Sequence, residues 1–151
     1  MKIRFTHLIV FALMVSSLLA ACSPTAAPVI SIENATGKPS ATMPTAGAMY
    51  MLIKNTGSAP DKLLSGSSPA CGSIEVHEVV MKSDGTMGMN LLDKPLEIPA
   101  GGQVELKAGG LHVMCIMKNE KFMPGEMIDL TLVFEKFGEV KLSVKLGEGD
   151  M

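Results

Sequence analysis

The sequence predicts an all-β domain, a two-sheet β-sandwich, and three observations carry that expectation. Short apolar segments recur along the chain, turn-forming residues punctuate them, and no window of helical length keeps a 3.6-residue apolar stripe. About seven to nine short strands in some 120 residues is the density of a sandwich. The chain shows no internal repeat and no sign of a second domain.

The expected strands follow in order. Val29–Glu33 comes first, then Ala48–Lys54, which the turn signal Asn55-Thr56-Gly57 closes. Ser65-Gly66 reads as a further turn before Ile74–Met81, and Ser83-Asp84-Gly85 ends that strand. Pro99-Ala100-Gly101-Gly102 precedes Gln103–Lys107, where Val104 and Leu106 point one way and Glu105 and Lys107 the other. Ala108-Gly109-Gly110 separates it from Leu111–Met117, and Pro124-Gly125 precedes Met127–Phe134, which alternates through Ile128, Leu130 and Leu132. Phe137-Gly138 leads into the last segment, Glu139–Lys145.

The N-terminus reads as a bacterial lipoprotein signal over residues 1–21. Lys2 and Arg4 form the charged region, Leu8 to Leu19 a mostly apolar run, and Leu19-Ala20-Ala21-Cys22 the cleavage site. The run is too short for a convincing membrane span. Acylated Cys22 would instead anchor the protein to a membrane surface, outside the cytoplasm. Residues 22–28 are the lipidated tether, 29–147 the domain and 148–151 a short tail. Loss of Lys2 and Arg4 takes the basic residues from 13 to 11 against 15 acidic ones, a net charge of −4. No arginine and no tryptophan then remain, which excludes nucleic acid as an expected partner, since its readers use bidentate arginine and stacking aromatics. Cys71 and Cys115 are the other cysteines, and in an exported domain a disulfide is the ordinary state of such a pair. The alternative is that Cys115, beside Met114, is a metal ligand.

Two histidines, His77 and His112, survive signal removal, and both stand in methionine-rich segments: "VHEVVMKSDGTMGMN" and "GGLHVMCIM". On a strand, residues two apart share a face, so His112 and Met114 project together while Val113 and Cys115 project oppositely. In "IEVHE", Ile74 and Val76 face the core, and Glu75 and His77 face outward. A hairpin at Asp84-Gly85 would fold Met89, or Met87 in its place, back toward His77. The candidate metal site is therefore His77, Met89, His112 and Met114, with Met87 as the alternate to Met89. Imidazole and thioether are borderline and soft donors that suit Cu(I) rather than magnesium or calcium. A thioether also survives an oxidising compartment without forming a disulfide. Glu75 and Glu78 show no pairing logic. Methionine is usually core filler, and Met49, Met51, Met81, Met117 and Met127 read so; Met43, Met123 and Met151 are undetermined.

"AMYMLIKNTGSAPDKLLSGSSPACGSIEVHEVVM" and "PLEIPAGGQVELKAGGLHVM" resemble the two signature regions of the PCu(A)C periplasmic copper chaperones, formerly a domain of unknown function. The family pattern is His, ten residues, Met, twenty-one residues, His-x-Met. Here eleven residues separate His77 from Met89 and twenty-two separate Met89 from His112. "ENATGK" replaces the usual tryptophan-arginine segment, and a His- and Met-rich C-terminal tail is absent. The resemblance implies a cupredoxin-like, Greek-key sandwich that binds one Cu(I) and is not an enzyme. It further implies copper delivery toward the CuA centre of cytochrome c oxidase subunit II, with Sco-type proteins as possible companions. A monomer is expected. The competing functions are a blue-copper-like electron carrier, which needs a cysteine thiolate beside two histidines, and a copper storage or resistance lipoprotein.

Overall fold

The structure, a computed structural model, describes residues 26–148. Its strands are β1 (Ile30–Pro39), β2 (Ala46–Asn55), β3 (Asp61–Ser67), β4 (Ser73–Met81), β5 (Met87–Leu91), β6 (Leu96–Ile98), β7 (Gln103–Leu106), β8 (His112–Ile116), β9 (Met127–Phe134) and β10 (Gly138–Leu146). No helix is present among the described residues. Cys22, the expected acylation site, and the expected signal over residues 1–21 lie outside them.

Each expected strand exists; β5 is the return arm of the hairpin expected at Asp84-Gly85, and β3 and β6 were not foreseen. Ser65-Gly66 is not a turn; it lies inside β3, where a bulge falls between Leu63 and Ser65. Its glycine is there because β3 meets β4 at that point, Gly66 opposite Ile74, and a Cβ on Gly66 would press on the Ile74 and Leu132 side chains. β1 also runs farther than expected. A bulge with Asn34 in the left-handed region, φ 54°, lets the strand continue to Pro39.

The strand order β5-β4-β8-β2-β1-β10-β9-β3-β6 makes two halves, with β7 pairing the far end of β2. Two narrow seams join the halves. β1 and β10 run parallel over Thr36↔Lys145 and Gly37↔Leu146, and β3 touches β4 through one register pair. The all-β domain is thus a flattened barrel, a sandwich whose sheets share their edges. Inward residues from both halves meet in one core that includes Met49, Met51, Ile53, Val113, Leu130, Leu132, Phe134, Val144 and Leu146. Met81, Met117 and Met127 are a correction: all three are exposed, because each sits at a strand end or on a face the sandwich does not cover.

Three polar residues within the first of the two quoted stretches serve the frame. Buried Asn55 accepts amides from Val29 and Gly57 and donates to the carbonyl of Ala59, tying three connections to one side chain. Ser68 donates to the Asp129 carbonyl at 2.6 Å. Asp61, buried at the start of β3, accepts the amides of Lys62, Lys136 and Phe137 at 2.8–2.9 Å. Burial pushes its carboxyl up, but those amides together with the Lys136 charge outweigh it and hold Asp61 below its usual value of 3.8.

Cys71, in the β3–β4 connection, is bonded to Cys115 of β8, with Cα atoms 5.4 Å apart and a sequence separation of 44. Closing a loop of that length removes unfolded-state entropy worth about 4 kcal/mol. Replacing both cysteines by alanine is expected to lower stability by about 2–5 kcal/mol in denaturant unfolding. A second expectation concerns acid. A carboxylate whose folded pKa is depressed contributes stability above its unfolded pKa and loses it as pH falls through the folded one. Asp61→Asn should therefore be less stable than wild type at neutral pH, with the difference shrinking below about pH 4, as urea titrations across that range would read.

Candidate metal centre

β8 carries two faces with different tasks. Val113 and Cys115 point into the core and are fully buried. His112 and Met114 point outward, onto the side of the sheet that also carries Ala48 and Tyr50 of β2. The register fixes their neighbours: His77 lies opposite His112, Glu75 opposite Met114, and Ala48 on the other side of Met114. The two imidazoles are thus a direct cross-strand pair, with ring centroids 6.1 Å apart. Tyr50 stands beside them, its ring 6.4 Å from that of His112.

These outward residues are nevertheless shielded. His112 is 4 % exposed and Met114 2 %. The His77 side chain, expected to face solvent, is only 15 % exposed. Covering comes from residues 38–43, the end of β1 and the start of its connection to β2, from β5, and from the turn between β7 and β8. Together they leave a cleft of about 230 Å³ that His112, Met114, Met89, Tyr50 and Val79 line, with Met43 in its wall.

The β4–β5 hairpin turns at Lys82–Thr86, where Gly85 has φ 82° and Asp84 accepts the amide and hydroxyl of Thr86. Its register sets Leu91 opposite His77, Met89 opposite Val79 and Met87 opposite Met81. Met89 is thereby two residues along β5 from the position opposite His77, on the same face, 47 % exposed and reaching the cleft. Met87 is a step farther out, 58 % exposed, toward the hairpin tip. Of the two alternatives, the fold brings Met89 to the histidines' neighbourhood.

Each ring has one nitrogen committed and one left over. His77 Nε2 donates to Glu75 Oε2 at 2.9 Å, so Glu75 has the pairing role its sequence neighbours did not reveal. The partner is two residues away on the same strand face, a contact the period-2 rule permits but does not announce. His77 Nδ1 is buried and finds no hydrogen-bond partner among the described residues. His112 Nδ1 donates to the carbonyl of Gly110 at 2.9 Å, which leaves Nε2 as the uncommitted nitrogen. That carbonyl is presented by a tight turn in which Gly110 donates to Lys107 and Gly109 takes φ 76°. A carboxylate and a carbonyl can only accept, so in their neutral forms the two rings take opposite tautomers, which puts the lone pair on His77 Nδ1 and on His112 Nε2.

The donor chemistry suits a soft monovalent cation. Among the described residues no three His, Cys, Asp or Glu side chains gather as a metal site, so a metal at this face would depend on thioether sulfur. Cys115 offers no thiolate, because its sulfur is joined to Cys71 on the opposite face of β8.

A family model described as "Putative lipoprotein LpqE-like" matches residues 30–146. "Putative lipoprotein Lxx21020" of Leifsonia xyli is 34 % identical over 82 residues, 54 % of this chain and 49 % of that protein. "Uncharacterized protein RP573" of Rickettsia prowazekii is 28 % identical over 99 residues, 66 % of this chain and 54 % of that one. The chain spans about half the length of the curated relatives it matches. Among solved structures, "Copper-bound PCuAC domain from PmoF2" superposes with a TM-score of 0.66 at 25 % identity, covering 84 % of this chain and 99 % of that one. "Solution structure of CuI-DR1885 from Deinococcus Radiodurans" shares the fold, with a TM-score of 0.57 at 23 % identity over 84 % of this chain and 81 % of that one.

One consequence of the site geometry is spectroscopic. Long-range ¹⁵N–¹H correlation of the metal-free protein at neutral pH should show His77 protonated on Nε2 and His112 on Nδ1. In Glu75→Ala the His77 preference should vanish while that of His112 stays. Identical tautomers at both rings would contradict the geometry.

Proposed function

The chain belongs to the LpqE-like family, related to the PCuAC domains, and from that premise we propose that it is an extracytoplasmic Cu(I)-binding metallochaperone. The observation that carries the proposal is the cross-strand pair His77–His112, with Met114 buried beside it and Met89 on the neighbouring strand, each imidazole keeping one lone pair free. The copper-bound relative of the same fold supports this choice of metal. His77, Met89, His112 and Met114 are the proposed ligands. All are neutral, so the bound ion keeps its single charge and can be handed on by exchange of one neutral donor for another, with no proton or electron to move. We read this donor set as a carrier's and not an enzyme's, because it offers neutral ligands alone, in keeping with the copper-bound PCuAC domain of the same fold.

Lipidation at Cys22 is proposed to hold the domain at a membrane surface, in keeping with the lipoprotein descriptions of the family and of the Leifsonia relative. Tethering in two dimensions would favour delivery to a membrane-bound acceptor, and the CuA centre of cytochrome c oxidase subunit II, with Sco-type partners, is the acceptor proposed from the PCu(A)C resemblance. The blue-copper alternative lacks its essential thiolate, since Cys115 is committed to Cys71 and points into the core.

The test is a Cu(I) competition titration against a chromophoric chelator. Wild type should take up one equivalent. His112→Ala and Met114→Ala should each lose more affinity than the roughly 10–100-fold that an outer-shell partner is worth. Unchanged affinity in both variants, or an intense blue band on adding Cu(II), would overturn the proposal.

A further inference from the structure

The cleft beside the histidine pair holds one more sulfur than the four-donor pattern uses. Met43 belongs to the segment between β1 and β2, outside both signature regions, and no periodicity marks it. It lines the same cleft as Met89, Met114 and His112. Three thioethers from three separate elements, a loop, β5 and β8, therefore converge on one space.

The placement of Met43 is constrained at its backbone. Its amide donates to Ser40 Oγ at 3.1 Å, and its carbonyl accepts the Ala46 amide at 2.9 Å. Ser40 in turn donates its amide to the Ala46 carbonyl at 3.0 Å. This closes the connection into a compact turn at the start of β2, whose next outward residues, Ala48 and Tyr50, form the cleft floor. Ala48, opposite Met114 in the register, contributes only a methyl group there, which leaves room above Met114 for a long side chain from the loop. Met43 itself is half-buried, though it sits among exposed neighbours at positions 41, 42, 44 and 45.

We propose that Met43 is a further thioether donor to the Cu(I) carried by this site, supplied by the β1–β2 loop. This rests on the reading of the cleft as a copper site and adds a residue to it. A monovalent copper ion is satisfied by four donors or fewer. A fifth at the wall gives the site a spare, so that one Cu–S bond forms as another breaks. Such an exchange moves neither protons nor electrons, and it is the step a carrier must perform at loading and release.

The experiment uses the mature chain labelled with ¹³C at the methionine methyl groups. On adding one equivalent of Cu(I), the Met43 methyl should shift together with those of Met89 and Met114, while Met49 and Met51 in the core and exposed Met127 stay in place. Met43→Leu, which keeps volume and apolar character, should retain wild-type thermal unfolding and one bound Cu(I) but with about tenfold weaker affinity, the lower end of what a supporting group is worth. Met127→Leu, on the other half of the sandwich, should change nothing. An unmoved Met43 methyl, or Met43→Leu with wild-type affinity, overturns the inference about Met43 and leaves the copper site standing. Failure of the wild type to bind Cu(I) at all would instead remove the premise.

Discussion

The antiparallel register of β4 on β8 is the constraint from which the rest of the site follows. Ile74 faces Cys115 and Val76 faces Val113 across the inner side, while Glu75 faces Met114 and His77 faces His112 across the outer side. A slip of one residue would send every one of these side chains to the opposite face. Imidazoles would then enter the core, and aliphatic groups would meet the cleft. The inner residues prevent this, because their burial is lost in any other register. The Cys71–Cys115 bond pins the same strand from the core side, one residue from Met114. The two rings therefore need no metal to bring them together; packing on the far side of the sheet has already done so.

Shielding is a separate achievement, made by connections and not by the sheet. A strand face that points away from the core would ordinarily be wet. Here the β1–β2 segment, the β5 hairpin and the glycine turn before β8 cover it, and His112 and Met114 end up as buried as core residues. The same turn supplies the carbonyl that fixes the His112 tautomer. Cover and orientation thus come from one piece of backbone, which explains why a glycine-rich turn directly precedes the histidine. Low exposure also strengthens the soft-donor argument, since water competes poorly in a space walled by thioethers and an aromatic ring.

The frame residues and the site residues are different sets drawn from the same signature regions. Asn55, Ser68 and Asp61 satisfy buried backbone groups and tie strands to loops. They sit at the edges of β2 and β3 and take no part in the cleft. A motif match across such a region is therefore evidence of fold first, and the imidazole–thioether pattern has to carry the chemistry by itself.

Period-2 alternation and turn residues were enough to establish an all-β class, most of the strands, and which side of β8 carries His112 and Met114, because these depend only on local backbone geometry. The same rules could not reveal β3, whose glycine at a strand seam mimics a turn, nor that Met81, Met117 and Met127 are exposed, since burial depends on what packs above a residue. Nor could they pair Glu75 with His77, choose Met89 over Met87 as the residue at the cleft, or draw Met43 from an unpatterned loop to its wall. Those outcomes rest on strand register and loop placement, which are set by contacts between residues distant in sequence and so exist only once the sheet has closed.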